Sequence, residues 1–394
     1  MKNLIASVIG VFMTLVSLAQ PFANDWIDYS PNKTYLKFKV AQNGIYKIEH
    51  ATLNFALQSI GQNLASIDPR SIQVFGRGEE QYIHIEGEND GVFNTNDFIE
   101  VYAQKNDGWL DESMYPSASE HTNPFYSLYN DTATYFITWH TDATQSPFRY
   151  ENVAYTTPVS TPISYVLYDV VKFYTNTYQL GKDLGSGVSK VPYHGGKGWM
   201  SGNFGYNNGS TPNLSSAVFS TPSVFSGAGA PNATVEVALS GINIGASTTG
   251  SAHHVQVQFT PSGGSMSVLS DVLYPSFDYV RDASTINASN MNSSTSIKLA
   301  CSESISLLTT TSDYSSCAYV ALTYPRSLNF NDDSEFKFTM PSNFSSLFFN
   351  ASNFTNNTTT HLIDLGDHKR YEVDHNSSNG SVRTNIQPGA EREM

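Results

Sequence analysis

Apolar and polar residues alternate with a period of two over many short segments of this chain. In a β-strand successive side chains point to opposite faces, so this alternation predicts strands with one buried face. Turn-forming Gly, Asn and Pro separate the segments. In the first part of the chain the predicted strands are residues 34–40, 44–48, 71–75, 81–86, 98–103 and 134–139. In the second part they are residues 233–242, 254–259, 296–300, 318–324, 335–340, 346–351, 361–365 and 371–373.

A helical period replaces the alternation over residues 51–60. There the apolar side chains of Leu53, Ala56, Leu57 and Ile60 fall on one helical face. Gly61 follows in the position where a left-handed cap residue ends a helix. The sequence therefore predicts one helix in a chain that otherwise forms strands.

A stretch rich in Thr, Ser and Pro divides the chain at residues 156–162 and is typical of a short linker. Before it, residues 24–155 form a β-rich domain that contains the predicted helix. After it, residues 163–388 show many short strands with turn signals, which favours an antiparallel β-sandwich. The predicted fold class is mostly β: a small β-rich N-terminal domain with one helix, followed by the sandwich.

The N-terminus has the features of an export signal. Lys2 gives a positive start, residues 4–18 are uncharged and mostly apolar, and Ser17 and Ala19 are the small residues before Gln20. The apolar run is shorter than the ~20 residues that cross a bilayer. We expect residues 1–19 to be a cleaved signal peptide and the protein to be exported to the periplasm, the outer-membrane surface or the extracellular space.

Composition narrows the functional classes. The chain has 35 acidic and 21 basic residues and a formal charge of −14, so its surface repels phosphate backbones and nucleic acid is excluded as a partner. Its 2 cysteines are too few for a disulfide scaffold or a four-thiolate zinc site. Aromatic residues make up 13% of the chain, and they fit either a core or a surface that stacks on sugars or grips a peptide.

An acidic segment at residues 86–97 matches part of a twelve-position calcium loop. Oxygen-bearing side chains stand at positions 1, 3, 5, 9 and 12, and glycine stands at position 6. These residues are Glu86, Glu88, Asp90, Asn94 and Asp97, with Gly91 as the glycine. Glu at position 1 and Asp at position 12 depart from the calcium motif, and an ordinary Asp-Gly turn is the alternative. Calcium is the only cofactor that the sequence indicates.

The two cysteines, Cys301 and Cys317, stand at the end of one predicted strand and near the start of the next. In an exported protein they can form a disulfide that closes the intervening loop. Two buried free thiols are the alternative. A third reading, a Cys/His dyad with His194, His253 or His254 as the base, lacks any nucleophile-like setting. Residues 194–198 (HGGKG) lack phosphate-loop spacing and predict a Gly-rich turn.

Four separated motifs resemble one known family. They are residues 44–48 (GIYKI) with 68–70 (DPR), residues 89–94 (NDGVFN) with 97–102 (DFIEVY), residues 197–204 (KGWMSGNF) and residues 319–326 (YVALTYPR). In this order they resemble the N-terminal, non-catalytic region of gingipain-type cysteine peptidases. The greatest resemblance is to the PorU-like sortases of the Bacteroidetes type IX secretion system.

The resemblance implies an accessory or scaffold role. In the family the catalytic His and Cys lie in a caspase-like α/β domain that follows the β-rich region, and no βα alternation of that kind occurs here. The chain therefore looks truncated, and no catalytic residue is carried over to it. The implied partners are the downstream catalytic domain of the same polypeptide, secreted cargo proteins and outer-membrane secretion components. The alternative is an exported free-standing β-sandwich adhesin or carbohydrate- or protein-binding module.

Overall fold

The computed structural model describes residues 24–142, 145–158, 161–207, 215–243, 253–261, 263–301, 312–342, 344, 347–355, 360–376 and 379–394. The predicted signal segment at residues 1–19 lies outside this part of the chain. The fold class predicted from the sequence is confirmed, because strands dominate and nearly all of them pair antiparallel. No helix among the described residues is long and apolar enough to cross a membrane.

The first unit consists of two small sheets that share one core. A four-stranded sheet has the order β1-β7-β3-β4, and a three-stranded sheet has the order β2-β6-β5. Apolar side chains of both sheets, such as Val74, Val101 and Ile137, are buried between them together with Leu53 and Leu57 of the helix. The elements are β1 (Leu36–Val40), β2 (Gly44–Glu49), α1 (His50–Gln58), β3 (Ile72–Gly76), β4 (Glu79–Gln81), β5 (Ile83–Ile85), β6 (Phe98–Ala103) and β7 (Ala133–Trp139).

Two predictions for this unit need correction. The helix ends at Gln58, so Ile60 is not on its buried face and is 50% exposed. The predicted strand at residues 81–86 is two strands, because the chain turns between β4 and β5 and joins a different sheet on each side. Gly61 follows the helix with a φ of 74°, the left-handed conformation that the sequence predicts.

The central unit is a β-sandwich. One sheet has seven strands: the order is β17-β14-β19-β9, followed by two short strands from the end of the chain, β20 (Thr339–Met340) and β26 (Arg392–Glu393), and β12 also pairs with β19. The other sheet has the order β13-β18-β15-β16. The first unit ends with β8 (Glu151–Val153). The strands of the two sandwich sheets between it and the last part of the chain are β9 (Val166–Phe173), β12 (Phe204–Asn207), β13 (Ser215–Ser220), β14 (Ala233–Gly241), β15 (His253–Phe259), β16 (Ser267–Tyr274), β17 (Tyr279–Ile286), β18 (Ser294–Ala300) and β19 (Ser312–Arg326). β10 (Thr177–Leu180) and β11 (Lys197–Met200) form a separate two-stranded sheet. Val237, Val257, Leu299 and Leu322 are fully buried between the two sheets.

The last part of the chain has a core of its own. Two three-stranded sheets, β21-β25-β24 and β22-β23-β8, enclose Phe338, Phe349, Tyr371 and other buried residues. The strands are β20 (Thr339–Met340), β21 (Leu347–Ala351), β22 (His361–Asp364), β23 (Lys369–Glu372), β24 (Asp374–Asn376), β25 (Ser381–Ile386) and β26 (Arg392–Glu393). We call residues 327–394 the C-terminal unit. The strand predicted at residues 335–340 is shorter than expected, since β20 contains only its last two residues.

Short 3₁₀ helices connect many of these strands. They are Leu64–Ser66, Pro69–Ser71, Glu88–Asp90, Asp111–Met114, Ala118–Glu120, Gly181–Ser186 and Ala288–Asn290. Two of them lie in the long connection between β6 and β7, which forms hydrogen bonds with the sandwich.

Candidate functional site

The acidic segment folds as a tight turn whose carboxylates bind its own backbone. Asp90 accepts hydrogen bonds from the Val92 amide (2.9 Å) and from the Asn94 side-chain amide (3.0 Å). Asp97, 8% exposed, accepts one from the Asn94 amide at 2.6 Å. A Cβ at Gly87, where φ is 83°, would lie 2.1 Å from the Asp97 carboxylate. The turn therefore needs both Asp97 and a glycine opposite it.

The other two acids of the predicted calcium loop point to different partners. Glu88 forms an ion pair with Arg149 at 2.9 Å, and Glu86 lies 3.2 Å from the ring of His84. Among the described residues no three or more His, Cys, Asp or Glu side chains are grouped so that they could hold a metal ion. The sequence placed Glu86, Glu88, Asp90, Asn94 and Asp97 in one loop; in the structure Glu86 and Glu88 have other partners, and the calcium site stays a prediction.

In the structure Cys301 and Cys317 are buried and free, and the disulfide expected from the sequence stays a prediction. Cys301 follows β18 in one sheet of the sandwich, and Cys317 lies in β19 of the other sheet. Each thiol contacts a backbone carbonyl: Cys301 Sγ lies 3.9 Å from the Asp313 oxygen, and Cys317 Sγ lies 3.2 Å from the Tyr319 oxygen. Burial raises the pKa of both thiols well above the ordinary range. Both thiols therefore stay protonated and unreactive.

The histidines considered as bases have carboxylate partners. His253 and Asp313 are fully buried, and their side chains meet at 2.8 Å, while the second ring nitrogen of His253 lies 2.6 Å from the Ser276 oxygen. His254 points to the other side of the strand and meets Asp271 at 2.6 Å. Within the described chain no histidine is hydrogen-bonded to either thiol, so the structure gives no support to a Cys/His dyad.

The Gly-rich segment 194–198 contains the predicted turn at Gly195 and Gly196, and its last two residues begin β11. The Lys197 ammonium is buried and donates to Asp183 at 3.0 Å and to the Pro192 oxygen at 3.2 Å. The hydrogen bond from the Lys190 amide, together with Lys197, lowers the pKa of Asp183 to about 2. Because the ammonium is fully engaged with the protein, this turn is not an anion site.

A set of buried and partly buried hydrogen bonds joins the first unit to the sandwich. Residues 108–128, which we call the junction loop, leave the first unit after β6 and cover the outer face of the seven-stranded sheet. Tyr115 and Thr122 both donate to the Lys197 carbonyl, at 2.7 and 3.1 Å. Asn123, 3% exposed, donates to the Tyr174 and Trp199 carbonyls, each at 3.2 Å. The junction loop thus satisfies backbone acceptors at the edge of β11.

Side chains of the central unit also donate hydrogen bonds to carbonyls of the junction loop. Trp199 Nε1 donates to the Leu128 carbonyl at 3.2 Å, and the Arg281 guanidinium donates to the His121 carbonyl at 2.6 Å. Phe125 packs edge-on against Tyr319, with ring centroids 5.0 Å apart. A Cβ at Gly198 would lie 3.2 Å from the Tyr115 hydroxyl and 3.3 Å from Thr122. The glycine therefore permits the close approach of the two units.

The first unit contacts the C-terminal unit on another side. β8 pairs parallel with β23, Arg370 meets Glu100 at 3.1 Å, and the rings of Tyr82 and His368 stack with centroids 3.6 Å apart. The first unit is thus attached to both other units through buried or stacked groups. Periodicity in the sequence did not predict these contacts, and the segment at 197–204 attracted notice only through the family resemblance.

Comparison with known proteins adds little to this description. No protein-family model and no curated protein matches the chain. Among solved structures, dimeric latent PorU from Porphyromonas gingivalis is similar over 91% of this chain and 32% of its own, with 10% identity and a TM-score of 0.47. The wild-type BuGH86 structure in complex with neoagarooctaose is similar over 74% of this chain and 32% of its own, with 13% identity and a TM-score of 0.21. The chain thus spans about a third of each of these structures, and neither similarity assigns a function.

Proposed function

We propose that this chain is the N-terminal accessory region of an exported gingipain-type cysteine peptidase or type IX secretion sortase. Its role is to hold a catalytic domain of the same polypeptide in position and to support the handling of secreted cargo. The junction loop is the observation that carries the proposal. It fixes the first unit on the sandwich with buried hydrogen bonds, as a scaffold requires.

Two further features support a scaffold. Two of the four motifs that resemble the family lie at structural contacts: residues 197–204 include β11 at the junction loop, and residues 319–326 lie in β19, at the centre of the seven-stranded sheet. The thiols of Cys301 and Cys317 are buried with raised pKa values, which is unsuitable for a nucleophile. The chemistry of a peptidase would then belong to the catalytic domain.

The proposal is tested on the gene and the protein of the native host. The reading frame should continue past codon 394 into an α/β domain that bears a catalytic His and Cys. Deleting residues 24–385 from the longer protein should impair its folding or the export of cargo. Asn123→Asp, which disrupts the junction loop, should weaken cargo export, while the exposed Asn130→Asp should not.

Two results would overturn the proposal. One is a stop codon directly after residue 394 together with saturable binding of a glycan or protein, which would favour the free-standing binding module. The other is turnover of peptide substrates by the 394-residue chain that is lost on Cys317→Ala, because a buried thiol would then be the nucleophile.

A further inference from the structure

A cavity of about 320 Å³ lies where the first unit meets the C-terminal unit. Ile45, Glu100 and Tyr102 form its side on the first unit. The C-terminal unit supplies an aromatic wall of five rings: Phe330, Phe336, Phe338, Phe349 and Phe354. The volume falls at the lower end of the range of small-molecule sites, which are also mostly apolar and often lie between domains.

The aromatic wall is itself well ordered by ring contacts. Phe330 stacks on Phe336 with centroids 4.1 Å apart, and Phe338 stacks on Phe349 at 5.4 Å. Phe354 meets Phe330 edge-on at 5.6 Å. A wall of this kind favours an aromatic guest, because rings gain from offset or edge-to-face contact beyond the area they bury.

Two polar atoms of residues that line the cavity lack a hydrogen-bond partner among the described residues: the Tyr102 hydroxyl and His361 Nδ1. His361 Nδ1 is buried and makes no hydrogen bond to the protein. Burial, followed by the charge of Arg370, lowers the pKa of His361 to about 4, so the imidazole is neutral near pH 7. Buried polar atoms in native proteins are nearly always hydrogen-bonded to protein, water or ligand. The lining therefore holds two hydrogen-bonding groups without a protein partner, of which the neutral imidazole of His361 belongs to the C-terminal unit that carries the aromatic wall.

The charges around the cavity disfavour an anion. The lining contains two carboxylates, Glu100 and Glu335, and one ammonium, Lys337. Lys337 is paired with Glu393 at 2.9 Å, and Glu100 is paired with Arg370 at 3.1 Å. Since the basic groups already have acidic partners, an anionic guest would meet a net negative lining.

We propose that this cavity binds a small neutral aromatic molecule with one hydrogen-bonding group, such as a phenol, whose ring rests on the aromatic wall and whose polar group meets His361 Nδ1. The site is independent of the proposed scaffold role. It gives the interface between two units a ligand-dependent stability, because a ligand that binds only the folded state stabilises it by mass action.

The test uses calorimetric titration of the full chain with three probes of similar shape. p-Cresol carries the hydroxyl, toluene lacks it, and p-toluate carries a negative charge. We expect p-cresol to bind one site per chain, toluene to bind about tenfold more weakly for loss of the hydrogen bond, and p-toluate not to bind. No binding of p-cresol, equal affinities for p-cresol and toluene, or preferred binding of p-toluate would each overturn the proposal.

Variants locate the site. Ile45 lines the cavity and is 42% exposed, so Ile45→Trp should obstruct its mouth and weaken both neutral probes. Ile60→Trp is the matched control, since Ile60 is 50% exposed and lies outside the lining. His361→Leu should reduce the affinity for p-cresol to that for toluene, and His361→Gln should restore part of the difference. Binding unchanged by Ile45→Trp and His361→Leu in folded protein would place the probes elsewhere and refute the assignment.

Discussion

At the scale of single residues, His121 makes the protein sensitive to acid. It lies in the junction loop, 3% exposed, with its ring 5.1 Å from that of Tyr115. Burial, followed by the charge of Arg281, lowers its pKa from 6.5 to about 4, while Asp107 acts weakly in the opposite direction. Between these values the unfolded chain binds a proton at His121 that the folded chain does not. The free energy of unfolding therefore falls as the pH falls through this window.

His121→Gln should flatten that acid dependence, because glutamine does not titrate. Between pH 7 and pH 4 the variant should lose about 1–3 kcal/mol less stability than the parent. The dependence should not vanish, since the pKa of His361 is lowered in the same direction and to a similar value. Urea unfolding at a series of pH values measures the slope, and an identical slope in the two proteins would contradict the argument.

The two cysteines give a second prediction at this scale. Cys301 and Cys317 are 0% exposed and are free in the structure. A thiol reagent at pH 8 should therefore leave the native protein unlabelled and should react with both thiols after unfolding in urea without reductant. No labelling after unfolding would show that the disulfide expected from the sequence forms in the mature protein. Rapid labelling of the native protein would show that burial does not protect the thiols.

At the scale of elements, the sequence predicts strands well where one face is buried and the other is in solvent. β6 has the bounds that alternation predicts, because Ile99, Val101 and Ala103 are buried and the residues between them are only partly buried. The strand predicted at residues 318–324 is too short, because β19 begins six residues before the expected start. Residues 315–320 of β19 are all buried, so apolar and polar positions do not alternate there. Strands covered on both faces by other parts of the chain lose the periodic signal.

The acidic turn shows why residue types alone did not define a site. Asp90 and Asp97 have the spacing of calcium ligands, but each satisfies backbone amides within the turn. Which partner a carboxylate takes depends on the turn geometry that Gly87 and Gly91 permit, both with positive φ. Spacing in the sequence does not encode that choice.

Asp97→Ala should therefore destabilise the first unit without any metal. It removes the charged acceptor of a partly buried hydrogen bond from the Asn94 backbone amide and should cost about 1–3 kcal/mol. Asp25→Ala, at an exposed position, is the control and should have little effect. Thermal melting of the parent should be the same in calcium and in chelator. A rise in the melting temperature with calcium that Asp90→Ala abolishes would restore the metal reading of the loop.

At the scale of the whole molecule, the first unit is attached to the sandwich by the junction loop and to the C-terminal unit by β8 and the Glu100–Arg370 pair. The partners in these contacts are far apart in sequence, so no local sequence pattern predicts the contacts. Asn123 and Trp199 are 76 positions apart, and Arg370 and Glu100 are 270 apart. Burial of polar groups at both contacts makes each one sensitive to single substitutions, because an unpaired buried polar group costs more than a paired one contributes.

Asn123→Asp is the sharpest test of this arrangement. The Asn123 side-chain oxygen accepts from the Phe125 amide at 3.2 Å, which leaves its two N–H groups for the Tyr174 and Trp199 carbonyls. An aspartate keeps the first bond, but it loses both donors and places a charged oxygen against two carbonyls. We expect the free energy of unfolding to fall by about 3 kcal/mol or more. We also expect a protease to cleave the variant within residues 104–132 faster than it cleaves the parent. Asn130→Asp is the matched control, because the Asn130 side-chain oxygen accepts from the Thr132 amide and an aspartate retains that bond. Equal melting and equal cleavage rates in the two variants would mean that the junction loop does not fix the first unit on the sandwich.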